Sequence, residues 1–289
     1  ACDDPDQTGP DGISCAEESG SESDSRPKFT ASYMPNDDLT FFAVSSAGYR
    51  TGGNNAALPY FCAEDPEAAA TFNRRYTSDK AENTEFGVKA RGDGFSVNAT
   101  YFHIDWTDIQ TSRFDPANVS ILTFVENAAD ASVSGFEADI LWYPSDNVTV
   151  ASAVSYNDTE VTEDKSRIIQ ISNVGSTMPL SPKLQYNIRV KVDSELAGNP
   201  AYTQVAVKSA DKAYSSLEAA KRLEQPSYTI WDAAYGVNIN GTEVEFFVRN
   251  ITDERANFYY NDQDDICLLY TSDAADDTPC VDLGGRRII

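Results

Sequence analysis

Apolar and polar side chains alternate with a period of two through most of the chain between residues 28 and 258. The clearest example is the segment 184–193 (LQYNIRVKVD), in which every second residue is apolar and every residue between is polar. Successive side chains of a β-strand point to opposite faces, so this alternation predicts strands with one apolar and one polar face. The period of an amphipathic helix is nearly absent. We therefore expect an all-β chain.

The alternation predicts about ten strands, joined by links that are in turn short and long. The strands cover approximately residues 28–35, 38–50, 84–92, 95–112, 121–143, 147–161, 183–195, 200–214, 227–240 and 243–259. The short links read PNDD (35–38), GDG (92–94), PSDN (144–147), AGN (197–199) and NGT (240–242), and all are rich in turn-forming residues. The long, largely polar links cover residues 51–83, 113–120, 162–181 and 215–226, and the first segment, 1–26, is also long.

Short turns at one rim and long loops at the other are typical of one architecture. We expect part of an antiparallel up-and-down transmembrane β-barrel, with short periplasmic turns and long extracellular loops. Aromatic side chains near the strand ends suit girdles at the two membrane interfaces. These aromatics are Tyr33, Phe41, Trp142, Tyr143, Tyr156, Tyr259 and Tyr260. The alternative is that they fill the core of a soluble protein.

Charge and hydropathy exclude several classes of protein. The 289 residues carry a formal net charge of -24 without a Lys/Arg cluster, so nucleic acid is not an expected partner. No apolar run of about 18 residues exists, which rules out a helical membrane protein. The mean hydropathy of -0.43 does not separate a soluble protein from a membrane barrel, because barrel strands also alternate.

The last 23 residues resemble translated sequencing adapter. Residues 267–277 (CLLYTSDAADD) and 281–289 (VDLGGRRII) match two adapter stretches in one reading frame, and residues 278–280 fall where a variable index would lie. We therefore expect 267–289 to be an artefact and exclude it from the fold, as an expression tag would be. The predicted organisation is an extracellular loop segment (1–26), a partial barrel (27–266) and this artefact.

The sequence offers no catalytic, cofactor-binding or metal-binding residues. His103 is the only histidine, so a Ser/His/Asp or Cys/His site would have to use it, and we expect a plain strand residue there. The cysteines outside 267–289 are Cys2, Cys15 and Cys62, without close metal-ligand spacing. A Cys2 to Cys15 disulfide would suit an oxidising compartment and stays open. The acidic stretch NDQDDI, with Asp262, Asp264 and Asp265, is expected to be a solvated surface. We expect no enzyme.

Four stretches resemble, in family order, the barrel of TonB-dependent outer-membrane receptors. The first, 27–53, resembles a mid-barrel hairpin that ends in a Gly-aromatic-Arg step, and 82–110 resembles the next hairpin, with its DWTDIQ run. Residues 127–161 contain the step GFEAD, and 244–260 resemble the penultimate strand, with its NITDER signature. Together the stretches cover most of residues 27–260. We expect the C-terminal half of such a barrel without its closing strand.

The resemblance implies a fragment of a receptor in the outer membrane of a Gram-negative bacterium. Such receptors take up a scarce nutrient, which would be a ferric siderophore, a vitamin-like cofactor or an oligosaccharide. The implied partners are outer-membrane lipid, a plug domain, the TonB–ExbB–ExbD complex acting through an N-terminal region, and a small-molecule or metal-chelate substrate. A passive porin-like channel is the alternative, and a secreted β-rich binding module is a further one.

Two groups of residues are candidates for contacts within such a receptor. Polar strand residues suit a wet lumen that holds a plug by hydrogen bonds and ion pairs. They are Gln185, Arg189, Lys191, Asp193, Asp232, Glu245 and Arg249. Substrate contacts are expected first in the long loop that begins near Tyr49 and Arg50. Its other candidates are Tyr60, Phe61 and Tyr76, although these aromatics could equally pack the loop against itself.

Overall fold

The computed structural model describes residues 26–55, 75–114, 123–166, 174–219 and 222–258. Within them, fourteen strands form. The strands are β1 (Lys28–Asn36), β2 (Leu39–Arg50), β3 (Gly53–Asn54), β4 (Arg75–Tyr76), β5 (Asp79–Gly92), β6 (Phe95–Phe114), β7 (Thr123–Ser145), β8 (Val148–Asp164), β9 (Leu184–Leu196), β10 (Asn199–Ala210), β11 (Ala213–Tyr214), β12 (Glu224–Gln225), β13 (Tyr228–Ile239) and β14 (Thr242–Val248). No helix in these ranges is long and apolar enough to cross a membrane.

Ten of the strands form one antiparallel sheet in the order β1-β2-β5-β6-β7-β8-β9-β10-β13-β14. Each of these strands pairs with the next long strand along the chain, which is the up-and-down arrangement. The outer strands, β1 and β14, pair on one side only, so the barrel is not closed within the described residues. The predicted fold class, a partial antiparallel barrel of about ten strands, is confirmed.

The turns at one rim are tight. The link between β9 and β10 has positive φ at Ala197 (51°) and Gly198 (80°), and the link between β13 and β14 has it at Asn240 (51°) and Gly241 (85°). Two successive residues with positive φ are the mark of the two-residue turns whose twist matches that of the flanking strands. Turn chemistry in the sequence therefore fixes the register of these hairpins.

Several predicted boundaries differ from the structure. Strand β5 begins at Asp79 rather than residue 84, and the predicted loop 51–83 contains a small ribbon, β3–β4, while β12 of a second ribbon, β11–β12, lies in the predicted loop 215–226. The predicted strand 200–214 breaks after Ala210, and β11 follows it. These boundaries move because the polar residues at the loop end have partners on neighbouring strands, which a local pattern does not show.

The prediction that the last strand extends to residue 259 is wrong, since β14 ends at Val248. Asn250 (φ 52°) and Asp253 (φ 50°) leave extended geometry, and the Asn250 side-chain amide accepts from the backbone N–H of Glu254 and donates to its C=O, both at 2.9 Å. The backbone N–H of Asn250 donates to Asp232 Oδ1 at 2.8 Å. Hydrogen bonds from side chains to nearby backbone groups thus take the place of hydrogen bonds between strands and close a turn.

One face of the sheet is apolar and exposed. A row of directly paired residues crosses seven strands on this face. It consists of Phe95, Trp142, Val150, Val190, Val205, Ala233 and Val248. A second row on the same face pairs Phe86, Tyr101, Phe136 and Tyr156. Large side chains here are well exposed, with Trp142 at 51% and Phe86 at 57%. Patches of this kind mark surfaces that something apolar covers.

The opposite face is polar, and aromatic rings lie flat against it. Phe102 lies over Gly135 and Tyr202 lies over Gly236, so that a Cβ added at either glycine would collide with the ring. Phe42 covers Gly87 in the same way. Glycine has no side chain, which lets each ring rest on the neighbouring strand instead of standing upright. This keeps the space above the polar face open.

A compact apolar cluster lies at the loop end of the sheet. Ala128, Ala129 and Val161 at the ends of β7 and β8 are completely buried, and Leu217 and Met178 from two connections pack on them. We call the described parts of those connections, residues 165–166 and 174–183 between β8 and β9 and residues 211–219 and 222–227 between β10 and β13, the cap. The cap therefore encloses apolar side chains, as the core of a small soluble protein does.

Candidate functional site

The polar face of the sheet carries all seven residues predicted to face a lumen. Pairing between β9, β10 and β13 places Arg189, Ala206 and Asp232 in one row. A second row joins Asp193 of β9 to Glu245 of β14 through Tyr202 and Gly236. Gln185 and Lys191 share the face by alternation, and Arg249 lies at the end of β14. The structure therefore brings the group together on one surface, and the role in binding a plug stays a prediction.

A broad groove of about 670 Å³ lies along this face. Its lining comes from seven neighbouring strands, β6 to β10, β13 and β14, so the polar face is the concave one. Charged lining residues of both signs are interspersed along the groove. They are Asp139, Arg189, Lys208, Asp232, Glu245 and Arg249. A second cavity of about 440 Å³ lies beside it and includes Gln185, Glu137 and Tyr228.

Near the tight turns, the polar face is tied across four strands. The Tyr202 hydroxyl donates to Glu245 Oε2, and Lys191 Nζ lies 4.9 Å from the centre of the Tyr202 ring. Lys191 also pairs with Asp193 at 2.8 Å. The Tyr202 ring thus bridges β9, β10, β13 and β14 while lying flat. Amide, carboxylate, ammonium and guanidinium groups on this wall can exchange hydrogen bonds with a polar surface or with water.

The predicted loop contacts are separated by the structure. Tyr49 lies on the apolar face, where Arg26 stands over its ring at 5.4 Å, whereas Arg50 lies on the opposite face. Arg50 forms an ion pair with buried Asp79, and its Nε donates to Asp79 Oδ2 at 2.7 Å. Tyr76 lies over Gly53 within the ribbon β3–β4. Tyr60 and Phe61 lie outside the described residues, as do Cys2, Cys15, Cys62, the acidic stretch near 262 and the predicted adapter segment.

Sequence reasoning missed a polar cluster at the loop end. Strand β6 bulges between Trp106 and Ile109, and Asp108 within the bulge has a φ of 56°. Lys165 Nζ lies 2.9 Å from Asp108 Oδ1 and 2.7 Å from Asp130 Oδ1. Burial alone would lower the pKa of Lys165, but its hydrogen bonds to Asp108 and Asp130 outweigh burial and raise that pKa. The partners are 57 and 35 positions apart in sequence, so no local signal marks them.

The cap has a second fixed contact, built on Arg222. Its guanidinium stacks 4.1 Å from the centre of the Tyr214 ring and donates to the C=O and Oγ1 of Thr177 at 2.8 and 2.6 Å. Burial lowers the pKa of Arg222. These bonds join the β8–β9 connection to the β10–β13 connection. The described parts of the two connections are therefore held against each other.

His103 is placed as a strand residue on the outward face. Its Nδ1 is 2.8 Å from Ser134 Oγ, and its Nε2 is 3.3 Å from Asp105 Oδ2. Both partners lie on the same face of the sheet as His103. In the part of the chain that the structure describes, no group of three or more His, Cys, Asp or Glu side chains is arranged to hold a metal ion.

A family model described as TonB dependent receptor-like, beta-barrel matches residues 3–251. Among solved structures, the ferric yersiniabactin uptake receptor FyuA from Yersinia pestis aligns with a TM-score of 0.62 and 18% identity, over 80% of this chain and 33% of that one. The siderophore receptor PiuA from Acinetobacter baumannii gives a TM-score of 0.62 at 19% identity, over 80% and 32%. The ferric preacinetobactin receptor BauA, also from Acinetobacter baumannii, gives 0.57 at 22%, over 78% and 32%.

These likenesses establish the fold. At such identities they do not establish which ligand this chain binds. The chain spans about one third of the length of each of these three structures.

Proposed function

Because this chain belongs to the family of TonB-dependent receptor β-barrels, we propose that it is part of an outer-membrane receptor for energy-coupled uptake of a scarce nutrient. The family is one of receptors and transporters rather than enzymes, and its members are outer-membrane proteins of Gram-negative bacteria. For this chain, the outer-membrane location, the coupling to TonB and the nutrient are the parts we propose.

The observation that carries the proposal is the pair of opposite faces on one sheet. Phe86, Phe136 and Trp142 would each expose a large apolar surface to water on a soluble protein. Burying apolar surface contributes roughly 25 cal/mol per Å², so a face of this kind is stabilised by contact with lipid tails. A continuous apolar face on antiparallel strands, with a polar concave face behind it, is the pattern of a membrane barrel.

The concave face supports a polar occupant of the barrel. Arg189, Lys208 and Arg249 lie in the same groove as Asp139, Asp232 and Glu245. A wall with both signs of charge interspersed can hold a folded domain through many hydrogen bonds and ion pairs, and each of them is individually weak enough to exchange. We propose that a plug domain, encoded outside residues 1–289, occupies this groove and that the inner-membrane TonB–ExbB–ExbD complex acts through it.

A ferric siderophore is the substrate that we propose first. The solved relatives with the same fold are described as receptors for ferric yersiniabactin and ferric preacinetobactin and as a siderophore receptor. A vitamin-like cofactor or an oligosaccharide are the other substrates to test. The net charge of -24 opposes capture of an anion by long-range attraction, so selectivity for an anionic chelate would depend on local loop contacts.

The test is uptake by the complete open reading frame that carries this sequence. It would be expressed in an iron-starved Gram-negative strain without its own ferric-siderophore receptors, in the presence and absence of TonB. Radioactive iron would be supplied on a panel of siderophores, with labelled cobalamin and maltodextrins as the other two classes. The proposal predicts accumulation of at least one ferric siderophore, only when TonB is present.

Two results would overturn it. Uptake that persists without TonB would indicate a passive channel. Uptake of none of the siderophores by a protein that reaches the outer membrane would remove the siderophore assignment, and accumulation of cobalamin or maltodextrin would replace it. Membrane fractionation provides the control for location in every strain.

A further inference from the structure

The backbone N–H, the backbone C=O and the carboxylate of Asp108 each have a partner on a neighbouring element. Its backbone N–H donates to Asp130 Oδ1 at 2.7 Å, and its backbone C=O accepts from Asn127 Nδ2 at 2.6 Å. Its carboxylate accepts from Lys165 Nζ at 2.9 Å. The left-handed φ of 56° costs a non-glycine residue energy, and it persists here because three contacts hold it. Bulges of this kind re-aim the groups around them.

From Asp108, one set of contacts leads to the connection between β2 and β5, of which residues 51–55 and 75–78 are described. Asn127 joins Asp108 to Thr77, because its Oδ1 accepts from the Thr77 backbone N–H at 2.8 Å and its Nδ2 donates to the Thr77 C=O at 2.9 Å. Gln110 Nε2 donates to the same C=O at 3.0 Å and to the C=O of Thr51 at 3.0 Å. The side-chain amides of Asn127 and Gln110 therefore make the backbone hydrogen bonds that a neighbouring strand would otherwise make with this connection.

A second set of contacts leads from Asp108 to the cap. Lys165 immediately follows β8, and its ammonium bridges Asp108 and Asp130. Its backbone N–H donates to the C=O of Ala128 at 2.8 Å, beside the apolar cluster that holds Met178 and Leu217. The Lys165 side chain is only 27% exposed. Removing its charge would leave Asp108 and Asp130 repelling each other across the bulge.

We propose that Asp108 is a positioning residue that couples the β2–β5 connection to the β8–β9 connection. A displacement of either connection breaks a contact that holds the bulge, and the relaxed bulge releases the other connection. The coupling is carried by contiguous hydrogen bonds and ion pairs between elements that are distant in sequence. If the proposed transport function is correct, a ligand that stabilises residues 75–78 also stabilises residues 165–166, and the reverse.

Hydrogen exchange on the chain in detergent or lipid tests the coupling without any ligand. Lys165→Gln removes the charge at the cap side of Asp108. We expect amide exchange to accelerate roughly tenfold at residues 75–78, which Lys165 does not touch, as well as at 165–166 and 174–183, the effect of losing one charge-assisted hydrogen bond. Asn127→Ala, on the other side of Asp108, is expected to accelerate exchange at 165–166 as well as at 75–78.

Matched variants separate coupling from simple damage. Lys212→Gln removes a cap ion pair, with Glu224 at 2.8 Å, that has no contact with Asp108, and it should leave 75–78 unchanged. Asp108→Asn keeps a residue that tolerates left-handed φ but loses the carboxylate, and we expect it to reproduce Lys165→Gln. The double variant Lys165→Gln with Asn127→Ala should accelerate exchange at 75–78 by less than the product of the two single effects.

The proposal fails if neither Lys165→Gln nor Asp108→Asn accelerates exchange at residues 75–78, while β9 and β10 keep wild-type protection. It also fails if the two single effects multiply in the double variant. Because no ligand is present, either result leaves the transport proposal untouched, and absence of uptake in the transport experiment leaves the coupling untouched.

Discussion

The middle of the sheet and its loop end are stabilised in different ways. In the middle, large apolar side chains remain accessible on the outer face, with Phe136 at 43% and Trp231 at 41% exposure. At the loop end, the two largest fully buried side chains of the described residues, Val161 and Asp79, lie within a few residues of the strand ends. One region places its apolar surface outward, and the other encloses it.

This difference fits the proposed location in a membrane, in which the two regions have different surroundings. In that location the outward face gains from contact with lipid, and its backbone is satisfied by the hydrogen bonds between strands. The loop end gains from burial among its own side chains and from polar contacts such as that of Lys165 with Asp108 and Asp130. A substitution should therefore act according to the region, and according to the face, in which it lies.

The largest effect is expected from a charge on the outer face. Val190 lies between Val150 and Val205, in the middle of the apolar row. Val190→Lys should lower the free energy of unfolding in a bilayer by about 2–4 kcal/mol, because the ammonium must enter the hydrocarbon region. Ala153→Lys is the control on the concave face, beside Asp139, and should cost less than about 1 kcal/mol. Equal losses in a urea titration in lipid vesicles would contradict the assignment of the two faces.

Next comes the apolar cluster of the cap. Leu217→Ala removes a side chain that is 6% exposed against Val161, Ala128 and Ala129. It should destabilise the cap by about 2 kcal/mol, at the low end for a buried leucine because the cluster is small. Exchange protection should fall at 174–183 and 213–217 and stay constant in β9. Leu223→Ala, at an exposed leucine in the same connection, should change little. Loss of protection throughout the sheet would show that the cap does not open independently.

A smaller effect is expected where rings lie on glycine. Gly135→Ala places a methyl group against the Phe102 ring and the backbone carbonyl of Tyr156. The ring has to tilt into the concave space and the backbone at Tyr156 has to shift, at a cost of roughly 1–2 kcal/mol for overpacking. Gly48→Ala is the matched control, because a Cβ there meets nothing within 4 Å. Paired unfolding curves measure both, and equal stability of the two variants would contradict the role of the glycine.

The smallest effect concerns pH. The pKa of Lys165 in the folded chain is raised above its ordinary value of 10.5, so its contribution to stability is complete below 10.5 and disappears as pH rises through the raised value. Protease sensitivity of the segment 165–183 should therefore increase at strongly alkaline pH. Lys165→Gln should be sensitive already at neutral pH and show no step at the pH where wild type does. A step of equal size in both proteins would assign it to another group.

Most of the sheet could be predicted from the sequence, because each strand carries its own pattern. The segment 184–193 alternates strictly, and β9 covers it as Leu184–Leu196. The turn residues Ala197 and Gly198 stand where the chain reverses. The end of β14 could not be predicted in this way. Asn250 closes a turn there through bonds to Glu254 and to Asp232, which lies 18 positions earlier on β13.

Alternation predicted only the face of the sheet on which each candidate residue lies. It assigns Arg189, Asp232 and Glu245 to one polar face, because the face of a strand residue depends on its position alone. It could not show that Arg50 is held by Asp79. That contact depends on which residue of a neighbouring strand lies opposite.

The sequence by itself determined a two-faced antiparallel sheet with tight turns at one rim, because side-chain alternation and turn chemistry act between residues that are close along the chain. Only the tertiary structure decided the loop end. Asp108 meets Asp130 and Lys165, 22 and 57 positions away, and Thr77 meets Asn127, 50 positions away. Such contacts follow from the register of five strands together, and a polar residue at a strand end acquires its role only when that register brings it a partner.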